Sequence, residues 1–286
     1  MWDDIRTLPQ HILPQHFLSR CMYHLTRSRW PAFKNALIKS FIATYRVDMQ
    51  SAEQESAEQF ACFNEFFTRA LKPEARTVDQ SPGSVTSPVD GTISQVGKIE
   101  DGRIFQAKGK SFDLASLLAR ESDESSPFEN GHFCTIYLSP RDYHRIHAPC
   151  DAVLASMDYV PGRLFSVNES TTNSVNELFA RNERLLCHFD SSAGSMVVVF
   201  VGAIFVGNMQ TTWHGEVNPS DSSGVSSWEY DVAGSNKLTF KKGEEIGRFN
   251  MGSTVILLFE NGQVNWDEEM RAGRKVQMGE RLGYRP

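Results

Sequence analysis

Gly247-Arg248-Phe249-Asn250-Met251-Gly252-Ser253-Thr254-Val255-Ile256-Leu257-Leu258-Phe259 runs from a glycine-bounded segment into an unbroken apolar stretch, and its reading sets the architecture. The stretch 254–259 is short for a helix and rich in β-branched and large apolar side chains, so it reads as a strand buried in a core. Outward from it the texture repeats. Strands are expected at 92–96, 133–138, 152–160 and 196–205, punctuated by glycines such as Gly91, Gly131, Gly162, Gly215 and Gly243. Residues 114–119 read as one short helix, and the Ser/Gly/Asp-rich stretch 220–227 as an exposed loop.

Before Lys72-Pro73 the pattern is helical. Pro31 starts a helix carrying Phe33, Leu37, Ile38, Phe41 and Tyr45 at helical spacing, with Lys34, Lys39 and Arg46 elsewhere on the wheel. A second helix carries Phe60, Phe63, Phe66, Phe67 and Leu71. Both stripes either pack on the main domain or, for residues 30–46, meet a membrane surface. The expected fold class is α+β: a helical N-terminal segment, residues 1–72, then a mostly antiparallel β domain, residues 73–286.

At 40% hydrophobic and 22% charged residues, the chain has the composition of a folded protein with a sizeable core. The net charge of −6 argues against nucleic acid as a partner. Residues 1–50 hold seven Lys/Arg against three Asp/Glu and so carry +4, leaving −10 on the rest. A basic segment on an acidic protein suits an anionic membrane surface. The five cysteines are scattered, with no C-x-x-C pair, which speaks against disulfides or a thiolate zinc site and for a reducing compartment. Asp3 and Asp4 sit where a signal peptide needs basic residues. The longest apolar run, 196–206, includes Gly202 and is too short for a transmembrane helix. A cytosolic protein with peripheral membrane contact is expected. No cluster has metal-ligand spacing and no phosphate-binding glycine loop is present, so neither a metal nor a nucleotide is expected.

The chemistry centres on Gly252-Ser253. A Gly-Ser step entering a strand serves as an ordinary turn, because glycine permits tight backbone. The alternative is attack by the Ser253 hydroxyl on the carbonyl of Gly252, which lacks a Cβ to obstruct it. Elimination from the resulting ester leaves dehydroalanine, and hydrolysis gives a pyruvoyl group and ammonia. A serine hydroxyl needs a base for this. Tyr143-His144-Arg145-Ile146-His147 offers two histidines, each with a structural hydrogen bond as its plain reading. Asp90, in Ser87-Pro88-Val89-Asp90-Gly91, is either turn chemistry or an orienting carboxylate. Asp90, His147 and Ser253 make a charge-relay triad if the fold brings them together.

Three segments resemble signatures of the phosphatidylserine decarboxylases: Ser87-Pro88-Val89-Asp90-Gly91, Leu138-Ser139-Pro140-Arg141-Asp142-Tyr143-His144-Arg145-Ile146-His147, and Met251-Gly252-Ser253-Thr254. Further similarity lies in Phe63-Asn64-Glu65-Phe66-Phe67-Thr68-Arg69, in Val160-Pro161-Gly162-Arg163-Leu164-Phe165-Ser166-Val167-Asn168, and in Phe179-Ala180-Arg181-Asn182-Glu183-Arg184. Met251 stands where the family usually has leucine, a nearly volume-conserving swap.

The resemblance implies that Asp90, His147 and Ser253 are the self-cleavage triad, cutting between Gly252 and Ser253. The products would be a β subunit, 1–252, and an α subunit, 253–286, that stay together as a heterodimer, with further oligomerisation left open. A covalent pyruvoyl group derived from Ser253 would form a Schiff base with phosphatidylserine, releasing CO2 and phosphatidylethanolamine. His144 either assists decarboxylation or supports His147. Ser166 either lines the substrate pocket or stabilises its loop. Arg141, Arg145 and Arg163 are candidates for the lipid phosphate. The implied location is peripheral, on the cytoplasmic face of the cell membrane. Two rivals have sequence support: a pyruvoyl enzyme acting on a soluble amino acid, which would not explain the basic segment, and a biotinyl/lipoyl-type carrier, which would need a hairpin lysine absent here.

Overall fold

The computed structural model describes residues 10, 14–120, 127–204, 208–217, 224–250 and 253–286. At its centre is the strand Thr254–Phe259, buried at every position. It pairs antiparallel with His132–Tyr137 on one side and Gly194–Val201 on the other, so that Ile256 faces Thr135 and Val199. The sheet runs Ser226–Glu229, Ala152–Val160, Arg184–Ser191, Gly194–Val201, Thr254–Phe259, His132–Tyr137, Gly91–Lys98, Lys275–Val276, with Thr239–Phe240 also on Ala152–Val160. Its pairings are antiparallel throughout.

A second sheet, Gly215–Val217, Met209–Thr211, Glu245–Phe249 and Arg145–His147, lies against the first. The Phe249 ring packs 5.6 Å from that of Phe200, and a Cβ on Gly247 would sit 2.7 Å from the same Phe200 ring. A strand covered on both faces shows no polar alternation, which is why 254–259 reads as a continuous apolar run.

The N-terminal helices are α1 (Gln15–Thr26), α2 (Pro31–Tyr45) and α3 (Phe63–Phe67). Pro31 opens α2, where its missing N–H and fixed φ cost nothing. Ile38 joins Phe60, Phe63, Phe66 and Phe67 in an apolar cluster, with Leu37 and Phe41 packed against it. The Phe41 ring meets those of Phe63, Phe66 and Phe67 edge-on at 5.1–5.9 Å. Of the two roles open to the α2 stripe, internal packing accounts for this part of it.

Four expectations need correction. Lys34, placed off the apolar face, is buried and donates to the Ala57 carbonyl at 3.1 Å and Asn35 Oδ1 at 2.6 Å. The second helix is short: Phe60 precedes it, and Leu71 forms a bridge with Ala52 instead of continuing the turn. Ser226 and Ser227, expected in an exposed loop, pair with Tyr159 and Asp158 at the sheet edge, while 220–223 lie outside the described residues. The expected strand 196–205 runs Gly194–Val201, and Phe205 lies outside the described residues.

Helix α1 has inverted amphipathicity. It buries Gln15, Ser19 and Thr26 and leaves Phe17 65% and Leu25 45% exposed, with Trp30 68% exposed just beyond it. Its polar face is used for docking. Gln15 Oε1 accepts from Leu164 N at 3.0 Å, and Gln10 Oε1 accepts from Ser166 N at 2.9 Å.

Candidate active site

The antiparallel register gathers the reactive segments at one end of the large sheet. Thr254 stands level with Tyr137 and Val201, and Tyr137 with Thr92. Val201 in turn is level with Arg184, and Arg184 with Val160. Segments 87–91, 138–147, 161–168 and 179–183, and Ser253, therefore all leave or enter the sheet at the same end. Gly91 makes the closest approach: a Cβ there would lie 2.5 Å from the Tyr137 carbonyl oxygen, so only glycine brings Asp90 this near.

Helix α3 covers this end. Asn64 Nδ2 donates to the Asn250 carbonyl at 2.9 Å, the Phe67 ring lies 4.2 Å from the His144 ring, and Arg69 Nη2 donates to the Arg141 carbonyl at 3.0 Å. Asn250 N also donates to the Asn208 carbonyl, and the Ser253 carbonyl accepts from Leu138 N at 2.9 Å. The chain is thus anchored on both sides of Met251-Gly252, which lie outside the described residues.

Ser253 is fully buried, and among the described residues its hydroxyl has no hydrogen-bond partner. His144 is also fully buried. Its Nδ1 lies 2.8 Å from the Asp142 carbonyl, so Nδ1 carries the proton and Nε2 the lone pair. Among the described residues that Nε2 has no partner. Burial, aided by the Arg69 cation, pulls the His144 pKa down to about 3, so the ring is neutral.

His147 donates Nδ1 to the Gly243 carbonyl at 2.8 Å and accepts at Nε2 from the Tyr143 hydroxyl at 3.0 Å. Burial lowers its pKa too, opposed in part by the Gly243 bond and by the charges of Glu245 and Asp90. Burial also pushes the Tyr143 pKa up, which keeps its hydroxyl a donor. Asp90 meets the Arg76 guanidinium through both carboxylate oxygens and accepts from Met278 N at 2.8 Å. The fold therefore brings Asp90, His144, His147 and Ser253 to one end of the sheet. It does not hydrogen-bond Asp90 to His147; Arg76 holds the carboxylate and Gly243 the imidazole.

Ser166 is half-buried, its N–H on Gln10 and its hydroxyl 3.4 Å from Asn168 N. Among the described residues, no three His, Cys, Asp or Glu side chains gather as metal ligands.

A protein-family model described as Phosphatidylserine decarboxylase matches residues 63–284, which include all of these side chains except Gln10. The chain belongs to the phosphatidylserine decarboxylase family. A second model, described only as PSD, matches residues 5–46. The phosphatidylserine decarboxylase proenzyme of Methylococcus capsulatus is 53% identical over 274 residues, 96% of this chain and 94% of the relative. That of Marinobacter nauticus is 49% identical over 284 residues, 99% and 98% of the two chains. That of Bordetella avium is 49% identical over 280 residues, 98% and 94%.

Within this decarboxylase framework, sequence reading missed Arg76, Tyr143, Asn64 and Gln15 as contributors to the site. Tyr143 and Asn64 lie inside motifs quoted for the resemblance, and a buried phenol beside two histidines was a usable signal. Arg76 and Gln15 belong to no motif, and only the folded chain reveals their partners.

Proposed function

We propose that this chain cleaves itself between Gly252 and Ser253 and that the processed protein converts phosphatidylserine to phosphatidylethanolamine and CO2. The observation that carries the reading is the Ser253 hydroxyl, buried without a partner among the described residues at the sheet end where Asp90 and both histidines converge. Leaving a buried hydroxyl unpaired costs about 1–3 kcal/mol, a price a fold tolerates where the group has chemical work.

In the first stage Ser253 Oγ attacks the Gly252 carbonyl and His147 takes the proton. For this His147 Nε2 must exchange the Tyr143 hydroxyl for Ser253. Asp90 acts on His147 through its charge, which favours the imidazolium formed. Anchoring at Asn250 and Ser253 resists relaxation of the intervening backbone during the shift. Residues 1–252 and 253–286 stay associated because Thr254–Phe259 is the buried centre of the sheet. The buried Ser253 position suits a pyruvoyl terminus, a group that supplies a carbonyl reactive toward a primary amine and a sink for the electrons left by CO2. His144 Nε2, unpartnered among the described residues, can accept the proton that the substrate ammonium must lose and return it to the carbon from which CO2 departs.

The test is intact-mass analysis of purified protein beside a CO2 assay on phosphatidylserine. Two fragments, with the smaller one ketone-terminated and blocked to Edman degradation, are expected. An uncut chain that still decarboxylates the lipid would remove the proposed cofactor.

A pH profile probes the base. Both histidine pKa values are lowered by burial, so the neutral, proton-accepting forms persist below the usual histidine range. Self-cleavage is expected to hold its rate as pH falls through ~6.5 and to decline only at lower pH. A limb at or above ~6.5 would contradict a buried imidazole base.

We further propose that α1 carries the protein onto an anionic membrane surface, at the cytoplasmic face, where five unpaired cysteines are at home. No helix of the described residues is long and apolar enough to cross a membrane. Phe17 and Leu25 of α1 and Trp30 just beyond it are exposed, as are Arg20 and Arg29. Inserting each apolar side chain contributes up to about 1.5–3 kcal/mol, and each nearby cation about 1 kcal/mol. The triple variant Phe17→Ser, Leu25→Ser, Trp30→Ser is expected to lose at least about tenfold in co-sedimentation with anionic vesicles. Equal sedimentation would reject the contact. Point substitutions are preferable to deleting 1–46, because deletion also removes the Gln15 contact with Leu164.

A further inference from the structure

A cleft of about 490 Å3 opens where the end of α1, α3 and the second sheet meet. Arg27, Arg29, Arg69, Arg145 and Arg248 line it, against two carboxylates, Glu53 and Glu65. Arg27 and Arg145 are ion-paired, with Glu216 at 2.6 Å and Glu245 at 2.9 Å. Among the described residues Arg69 and Arg248 are held by neutral groups, the Arg141 carbonyl and Gln210 Oε1, each at 3.0 Å. Arg69 is only 5% exposed, and its Nε is buried without a partner among the described residues. Burial draws its pKa down to about 10 and lowers that of Arg248, yet both stay cationic near neutrality. Carboxylates act on them only through space, Asp90, Asp48 and Asp142 on Arg69 and Glu245 and Glu216 on Arg248, so among the described residues no salt bridge occupies either guanidinium and an anion in the cleft would pair with them.

The cleft adjoins the reacting terminus. Asn64 lines it and holds the Asn250 carbonyl, and Phe67 of the same helix packs on His144.

We propose that this cleft binds the phosphodiester of the substrate headgroup, with Arg69 and Arg248 as its main contacts; the assignment rests on the function proposed above. Guanidinium forks match the paired oxygens of a phosphate. The substrate carboxylate is a poorer fit, because cations clamped on a group that must leave as neutral CO2 would stabilise the ground state and slow its loss. The phosphodiester keeps its charge from substrate to product, so arginines on it give uniform binding, seen in KM and not in kcat. Of the three arginines considered from sequence, Arg145 lines this cleft, behind its pairing with Glu245.

Arg248→Gln and Arg248→Lys provide the test, on full-length protein whose self-cleavage is first checked by intact mass. With short-chain phosphatidylserine, Arg248→Gln is expected to raise KM at least about tenfold with kcat within about twofold, and lysine to recover part of the loss. An unchanged KM, or a fall in kcat alone, would overturn the assignment. A second arm needs no turnover. Uncut Ser253→Ala protein should bind glycerophosphoserine by calorimetry, and adding Arg248→Gln should weaken this at least about tenfold. That arm decides the matter even if the decarboxylase reading fails. Equal binding by both proteins, or inorganic phosphate binding more tightly than the diester, would overturn a headgroup site, the latter in favour of a free-phosphate site.

Discussion

Ser253→Ala is expected to leave the chain full-length and to reduce CO2 release from phosphatidylserine to background, a loss of at least about 10⁶-fold. Without Oγ there is no ester and no route to a ketone terminus, so both stages fail together. The geometry adds a second expectation. The hydroxyl is buried and unpartnered, so its removal leaves no orphaned group behind and relieves one already present. Thermal unfolding of the variant, compared with uncut wild-type precursor, should therefore occur at the same temperature or higher. Fragments 1–252 and 253–286 arising from this variant would refute serine as the nucleophile. A large drop in melting temperature would mean that the hydroxyl is part of the fold's own hydrogen bonding.

Alanine at His147 and at His144 is expected to separate the two stages. His147→Ala should slow self-cleavage by about 10²–10⁴-fold, the usual contribution of a positioned general base. His144→Ala should mature at the wild-type rate and then decarboxylate more slowly by a similar factor. The contrast follows from their surroundings. His147 feels the Asp90 charge and is oriented through Nδ1 by Gly243, as a relay base must be. His144 is neutral, fixed through Nδ1 by the Asp142 carbonyl, and has its lone-pair Nε2 unengaged beneath α3. Time courses of precursor disappearance and single-turnover CO2 release distinguish the stages. Should His147→Ala mature normally, the base is His144, the histidine whose acceptor nitrogen is already free.

The site connects to the N-terminal segment through few but directional contacts. Asn64, Phe67 and Arg69 of the α3 region reach Asn250, His144 and Arg141, while Gln10 and Gln15 bond the 161–168 loop that carries Ser166. Attachment of α1 to a lipid surface would therefore bear on the 161–168 loop, which leaves the sheet at the end that carries Ser253.

The amino-acid order by itself determined most of the strands and, through its short motifs, the family. The apolar run at 254–259, the β-rich runs around it, the glycine that follows Asp90 and the Gly252-Ser253 step were all legible, because residue type and spacing act over a few neighbours. The tertiary structure decided what those segments meet. Antiparallel register brought residues 87–91, 138–147 and Ser253 to one sheet end, although long stretches of chain separate them. It also gave Asp90 to Arg76 and His147 to Tyr143 and Gly243, pairings that no local pattern encodes. The same holds for α1, whose buried polar and exposed apolar faces follow from what each side packs against, a matter of long-range burial and not of helical period.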